Sequence, residues 1–254
     1  MTDGERLAKR VAALVPCSRS DAERYIEGGW VRVDGVVVQE PHFRVQRQVI
    51  TVAPDARLQD LPPVTLVLHK PAGWLDGTPL PPTRSARTPI PSANSLLSAA
   101  HCYAGRDKTA PTVLQRHFKN QQSLVALEDG ASGLLVFTQD WRVARKLNDD
   151  QAFLEHETMV DISTGVTDAT LQTLARLLAN DPDLPATKVS LSSRTAESST
   201  LRFAVKGSQV GLLAYLCDQV QLPIAGMRRI RLGRIALRDL PVGQWRYLGI
   251  NERI

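Results

Sequence analysis

Two adjacent carboxylates, Glu128 and Asp129, have the type and setting to do chemistry: they open the run Glu-Asp-Gly-Ala-Ser-Gly-Leu-Leu-Val-Phe-Thr-Gln-Asp140. A carboxylate at the mouth of a turn that leads into a buried strand is placed to act as an acid, a base or an oriented anion in a cleft. The same residues also read as an acidic hairpin loop on the surface. A second group is cationic. Arginines 228, 229, 231, 234, 238, 246 and 253 crowd residues 225–254 against only Asp239 and Glu252, so that segment's net +5 equals the charge of the whole chain. Guanidinium forks suit phosphates and stack on bases, so this excess points to a polyanion. Metal chemistry is not indicated, because His101 and His117 lack a partner at ligand spacing and Cys17, Cys102 and Cys217 lie far apart. Ser132, in Gly-Ala-Ser-Gly, lacks nucleophile-elbow spacing and has no suitably placed histidine, which sets a hydrolase aside.

The elements that would position these groups follow from periodicity. Leu134–Phe137 is an apolar, partly β-branched run that reads as a buried strand, and Thr138-Gln139-Asp140 supplies polar residues to cap a helix carrying Val143, Ala144 and Leu147. Leu232, Ile235 and Leu237 break up the basic C-terminal stretch as a strand would, the other reading being a solvated tail. Earlier, Leu7, Val11 and Leu14 keep helical spacing over residues 4–15, and Ser18-x-x-Asp21 reads as a capping box for a second helix stopped by Gly28-Gly29. Trp30–Val38 around Asp34-Gly35 reads as a hairpin, and 49–52 as a further strand. Arg57–Pro63 reads as a linker, Thr65–His69 as a strand, Pro79–Ser98 as an extended loop, Asp168 as the start of an amphipathic helix, and Leu201, Phe203 and Val205 as an alternating strand. With 254 residues, 43% hydrophobic and 22% charged, the chain is long enough for one or two domains of ordinary globular composition. No run reaches the length of a membrane span, no secretory signal pattern opens the chain, and the cysteines are odd in number, so a cytoplasmic protein without membrane association is expected.

Several stretches resemble known families. Arg6-Leu7-Ala8-Lys9-Arg10, Ser18-Arg19-Ser20-Asp21-Ala22 and Gly29-Trp30-Val31-Arg32-Val33-Asp34-Gly35 resemble the S4 RNA-binding domain. The run Leu127 to Asp140 resembles the signature loop of the S4-domain RNA pseudouridine synthases of the RsuA-type branch, Gly-Arg-Leu-Asp-x-x-Thr-Ser-Gly-Leu-Leu-x-x-Thr-x-Asp. His69-Lys70-Pro71-Ala72-Gly73 is similar to the family's Asn-Lys-Pro-x-Gly, Glu155–Val160 to its Glu-Lys-x-Tyr-x-Val, and Met227–Leu248 to its C-terminal strand, Leu-Pro-x-Gly turn and Trp-Arg. The resemblance implies an α+β fold: a small S4 domain at 1–58, then a synthase-like mixed or antiparallel sheet with flanking helices at 64–254. It further implies structured RNA, ribosomal RNA foremost, as partner, a monomer, and a reaction without cofactor or metal in which uracil is detached from its ribose and rejoined through carbon. Arg10, Arg19, Arg24 and Arg32 would face phosphates, as would Lys70, Arg229 and Arg231.

The departures fall where the chemistry would be. The family's reactive Asp aligns with Glu128, its preceding Arg with Ala126 and its active-site Tyr with Thr158, while Asp129 is a second carboxylate displaced by one position. Of the Arg-rich third motif, Glu-Gly-x-Asn-Arg-Gln-Ile-Arg-Arg, only Gly207 remains in Lys206–Leu213. One extra methylene moves a carboxylate by about 1 Å, a displacement that can cost around 10²-fold in rate. The expectation is an RNA-binding member with weak or lost isomerase activity, the alternative an active synthase using Glu128. A cation within ion-pair reach of Glu128, with Lys70 or Lys206 the candidates, would favour the alternative.

Overall fold

A computed structural model describes residues 4–58, 61–77, 90–103, 111–207, 209–249 and 251–252. The chain divides into two compact units, Met1–Pro63 with Pro111–Asn120, and Val64–Ala110 with Gln121–Ile254.

The first unit contains β1 (Glu5–Arg6), α1 (Leu7–Leu14), α2 (Arg19–Glu27), β2 (Val31–Val33), β3 (Val36–Val37), β4 (Arg44–Val45) and β5 (Ile50–Val52). The Ser18 hydroxyl caps α2, accepting from the Asp21 N–H at 3.1 Å and donating to the Asp21 carboxylate at 2.7 Å. The hairpin joins β2 to β3 through Asp34 and Gly35, both with positive φ (50° and 82°), as a tight turn matched to strand twist requires. Leu7, Ala8, Val11, Ala22, Ile26, Val31, Val33 and Val45 form the core. Leu14, expected on the apolar face of α1, is 51% exposed, and Ala8 is buried instead. The segment 111–120, placed with the larger domain by the sequence, packs in this unit: the Gln115 N–H donates to Gln39 Oε1 at 2.7 Å, and Arg116 pairs with Glu27.

The second unit is built on β6 (Thr65–Lys70), β7 (Gln122–Leu124), β8 (Ser132–Thr138), α3 (Trp141–Asp149), β9 (Glu155–Ile162), α4 (Asp168–Asn180), β10 (Thr187–Arg194), β11 (Ser199–Lys206), α5 (Leu212–Gln219), β12 (Ile224–Leu232), β13 (Ile235–Ala236) and β14 (Trp245–Tyr247). Its sheet has the order β10-β11-β9-β12-β8-β6-β14, with β7 beside β8 and β13 beside β12. Every pairing is antiparallel except β12 with β8, so the fold is α+β with a mixed sheet. Helices α4 and α5 close a core with Val160, Ile162, Leu201, Phe203 and Val205, and α3 joins a second core with Val67, Leu134, Val136 and Ile235. Asp140 caps α3 through the Arg142 N–H at 2.9 Å. Of the basic C-terminal stretch, Leu232 and Ile235 lie in strands β12 and β13, as their spacing indicated, while Leu237 lies outside them.

Between β8 and β12 the backbones approach so closely that a Cβ on Gly133 would lie 2.3 Å from the Arg229 carbonyl oxygen, and Gly133 has φ 114°. Only glycine fits there. Of the expected extended loop at Pro79–Ser98, residues 79–89 lie outside the described residues. The remainder is not extended: Ala93–Leu96 forms a 3-10 turn capped by Ser92, with Ala93 and Leu96 buried.

Candidate active site

The loop before β8 brings together Leu127, Glu128 and Ala131, and across from them stand His156 and Thr158 of β9, Arg229 of β12, and Gln209 and Val210 before α5. Thr158 and Arg229 are register partners between β9 and β12, which fixes their side chains on one face. The cavity they enclose is about 20 Å³, space for one water rather than a nucleobase.

The Glu128 carboxylate is held by backbone. Oε2 accepts from the Gly211 N–H at 2.5 Å and Oε1 from the Leu213 N–H at 3.1 Å. Gly211 is the N-cap of α5 and carries no side chain to satisfy the first-turn amides, so Glu128 supplies the cap from a loop distant in sequence. The dipole at that helix end favours an anion. No described arginine or lysine forms an ion pair with Glu128, and neither Lys70 nor Lys206 supplies the cation the sequence made conceivable. The buried thiol of Cys217 is pushed up to about 11, by burial first and then by the Glu128 charge. Asp129 is exposed and makes no bond within this group.

Arg229 was expected to face RNA. It is instead 3% exposed, and its guanidinium donates inward: Nε to the Leu134 carbonyl at 2.8 Å, Nη1 to Ala126 at 3.0 Å and Nη2 to Val125 at 2.8 Å. Burial lowers it to about 10, with Asp76 opposing the shift. It therefore pins the chain entering the Glu128 loop, where buried Val125 has φ 58°, a costly conformation for a β-branched residue. Lys70 is a second correction. At 1% exposure its ammonium donates to the carbonyls of Pro71 at 3.0 Å and Trp74 at 2.7 Å, closing the turn that contains Gly73 rather than meeting a phosphate. Arg231 is half-buried and committed to Glu155 and to Glu157, the latter at 2.6 Å, with Arg202 completing the ladder across three strands. Both arginines were singled out by charge, and charge records neither the carbonyls that hold Arg229 nor the cross-strand carboxylates that hold Arg231.

His156 escaped the sequence reading. It is 8% exposed, its Nε2 lies 2.7 Å from the Gly207 carbonyl and its Nδ1 has no partner among the described residues. The carbonyl fixes the proton on Nε2 and leaves Nδ1 as an acceptor. Its position two residues before Thr158 on a strand was the available signal. The half-buried Ser132 hydroxyl donates to the Met227 carbonyl at 3.2 Å, so it is occupied structurally. Ser208 of the third motif lies outside the described residues, and no cluster of metal-ligating side chains occurs among those described.

In the first unit Arg10, Arg19 and Arg32 are exposed and Arg24 is half-buried. Arg10 lies 3.7 Å from Glu5, Arg19 3.3 Å from Glu23 and Arg24 3.6 Å from Asp21, while Arg32 donates to the Gly35 carbonyl at 3.0 Å. Exposed pairs of this kind are screened by water and hold only weakly, so a phosphate can displace the carboxylate.

The S4 domain family model matches residues 5–49. A protein of Aquifex aeolicus described as an uncharacterized RNA pseudouridine synthase is 23% identical over 253 residues, covering 97% of this chain and 94% of that protein. Ribosomal small subunit pseudouridine synthase A of Pseudomonas aeruginosa is 26% identical over 260 residues, covering 97% and 98%. A crystal structure of a pseudouridylate synthase superposes with a TM-score of 0.55 at 16% identity, covering 96% of each chain. The chain thus carries an S4 domain at residues 5–49, shares the fold of a pseudouridylate synthase, and is similar over nearly its whole length to S4-domain RNA pseudouridine synthases.

Proposed function

We propose that this protein binds structured RNA, ribosomal RNA foremost, and that its isomerase activity is weak or lost. The observation that carries the reading is the capture of Glu128 by the amides of α5. A carboxylate whose two oxygens already accept from a helix N-terminus, with no described cation paired to it, is a structural cap, and freeing it for catalysis would uncap the helix. Thr158 supports the same reading. It is 3% exposed and offers a hydroxyl, neither aromatic nor acidic enough to replace a phenol in stacking on a base or moving a proton. The cavity volume adds a third argument, since a flipped-out uridine requires Gln209 and Val210 to move away.

The test is single-turnover tritium release from uridine C5 in ribosomal RNA taken from cells lacking the protein. The natural sequence is expected to release little or none, and Glu128→Asp to recover little, because the phenol and the third motif's arginines are absent as well. Groups acting in one site do not fail independently. Robust release by the natural sequence, abolished in Glu128→Gln, would overturn this reading and establish Glu128 as a working carboxylate.

RNA affinity is expected to rest on the S4 arginines. Arg19→Ala should weaken binding to every structured RNA by a similar factor and reduce the slope of log K against log salt by about one. Affinity unchanged between low and high salt would sink this assignment.

A further inference from the structure

Three loops of the second unit meet at one end of its sheet, because Lys206 pairs with Glu155 and Thr187 pairs with Val205. They enclose an open groove of about 440 Å³, within the size range of small-ligand sites. One side is Phe153, 71% exposed and without a ring partner among the described residues. The Phe153 N–H is bonded to the Asp150 carbonyl at 2.8 Å, which fixes the backbone that carries the ring. The other side is Leu184 and Pro185, both half-buried. At the rim stands Lys206, exposed and free of any carboxylate at ion-pair distance among the described residues. Its own N–H is tied to the Ala186 carbonyl at 2.9 Å, so the stem is anchored while the ammonium is not. Gln209, exposed, borders both this groove and the Glu128 cavity.

A single exposed ring is ordinary on a protein surface; what sets Phe153 apart is the groove it walls and the polar groups that share it. Beside it are one cation, one uncommitted side-chain amide and a wall with no charge except Asp183 at the groove's edge. That is the chemistry of a single nucleotide: a flat base to stack, an edge for an amide to read and a phosphate for an ammonium. Asp183 repels phosphate from its own side and directs it toward Lys206. We propose that this groove holds one unpaired nucleotide of the bound RNA, with its base on the Phe153 ring, its phosphate at Lys206 and its base edge at Gln209, which also borders the Glu128 cavity. The inference rests on the RNA-binding reading and adds a subsite to it.

The probe is an RNA stem-loop with 2-aminopurine at one loop position, moved one position at a time, titrated with the full chain. Binding is expected to quench the fluorophore at one position. Phe153→Ala should abolish that quenching and weaken affinity roughly 5- to 100-fold, the scale of one lost stack, while Phe153→Trp retains both. Lys206→Ala should lower the salt slope by about one. Because the ring is exposed, the melting temperature of Phe153→Ala should match that of the natural chain, which separates lost binding from lost folding. Natural affinity and quenching in Phe153→Ala, alongside weakened binding in Arg19→Ala, would overturn the groove and leave RNA binding standing. Failure of the natural chain to bind any stem-loop would overturn both.

Discussion

Replacing Arg229 with alanine is expected to destabilise the second unit by about 3–5 kcal/mol, a loss visible as a lowered urea midpoint. Three carbonyls, those of buried Val125 and Leu134 and of half-buried Ala126, receive its guanidinium protons. Removing the donors leaves each carbonyl with the desolvation cost of an unpaired group, about 1–3 kcal/mol apiece before relaxation. The loss also frees Val125 from its left-handed conformation, so the Glu128 loop should relax and the cap on α5 should weaken with it. Arg229→Lys should recover little, because a point charge cannot reproduce a three-way fork. Arg228→Ala is the control: Arg228 is adjacent in sequence but exposed, and its loss should change stability by less than about 0.5 kcal/mol. If Arg229→Ala unfolds within 1 kcal/mol of the natural chain, roughly, the pinning role is wrong.

Mild acid should destabilise both units. His117 and His156 are lowered to about 4, mainly by burial, with Arg116 adding to the effect on the first and Arg229 on the second. In the unfolded chain each imidazole takes up its proton near pH 6.5. Above that pH neither state is protonated, and stability is at its full value. As pH falls from about 6.5 toward 4 only the unfolded chain gains the proton, so stability drops across that window and levels off below it. The loss amounts to about 2–3 kcal/mol for each histidine. Glu157 and Glu252, held below the usual carboxylate range by arginine partners, add their own losses only at lower pH. Urea midpoints measured from pH 7.5 to 5 should therefore fall for the natural chain and fall less steeply in His156→Gln, where His69, also lowered by burial, keeps part of the slope, with the His117→Gln change confined to the first unit. Parallel curves for natural and variant proteins would refute the assignment.

Local signals in the sequence were legible where the chain decides locally. Asp34-Gly35 and its flanking valines specified the first hairpin, Asp140 specified the cap of α3, and Leu134–Phe137 the central strand. Asp168 with its leucines marked α4, whose N-cap is Thr167. Strand β10 was not legible, because an edge strand reading Thr-Lys-Val-Ser-Leu-Ser-Ser-Arg carries too little apolar content to stand out. The fates of Lys70, Arg229 and Glu128 were not legible for a different reason. Each is a charged side chain satisfied by main-chain groups, and for Arg229 and Glu128 those groups lie far along the chain, where no pattern of residue types records them. Gly133 lies between these cases: its place in Ser-Gly-Leu-Leu was visible, but the reason for it is the Arg229 backbone 96 positions later.

The first unit is assembled from two stretches, and Pro111–Asn120 supplies the second. During synthesis the residues made first are therefore not finished first. The pairing of Gln115 with Gln39, and of Arg116 with Glu27, waits until the ribosome has also delivered β6, the opening strand of the other sheet. A nascent chain halted at residue 63 would expose the surface that 111–120 covers, leaving buried Leu114 and His117 still unmade. Completion of the RNA-binding module is thus timed to the emergence of its neighbour, and a chain cut at the linker would carry an unfinished face into the cell.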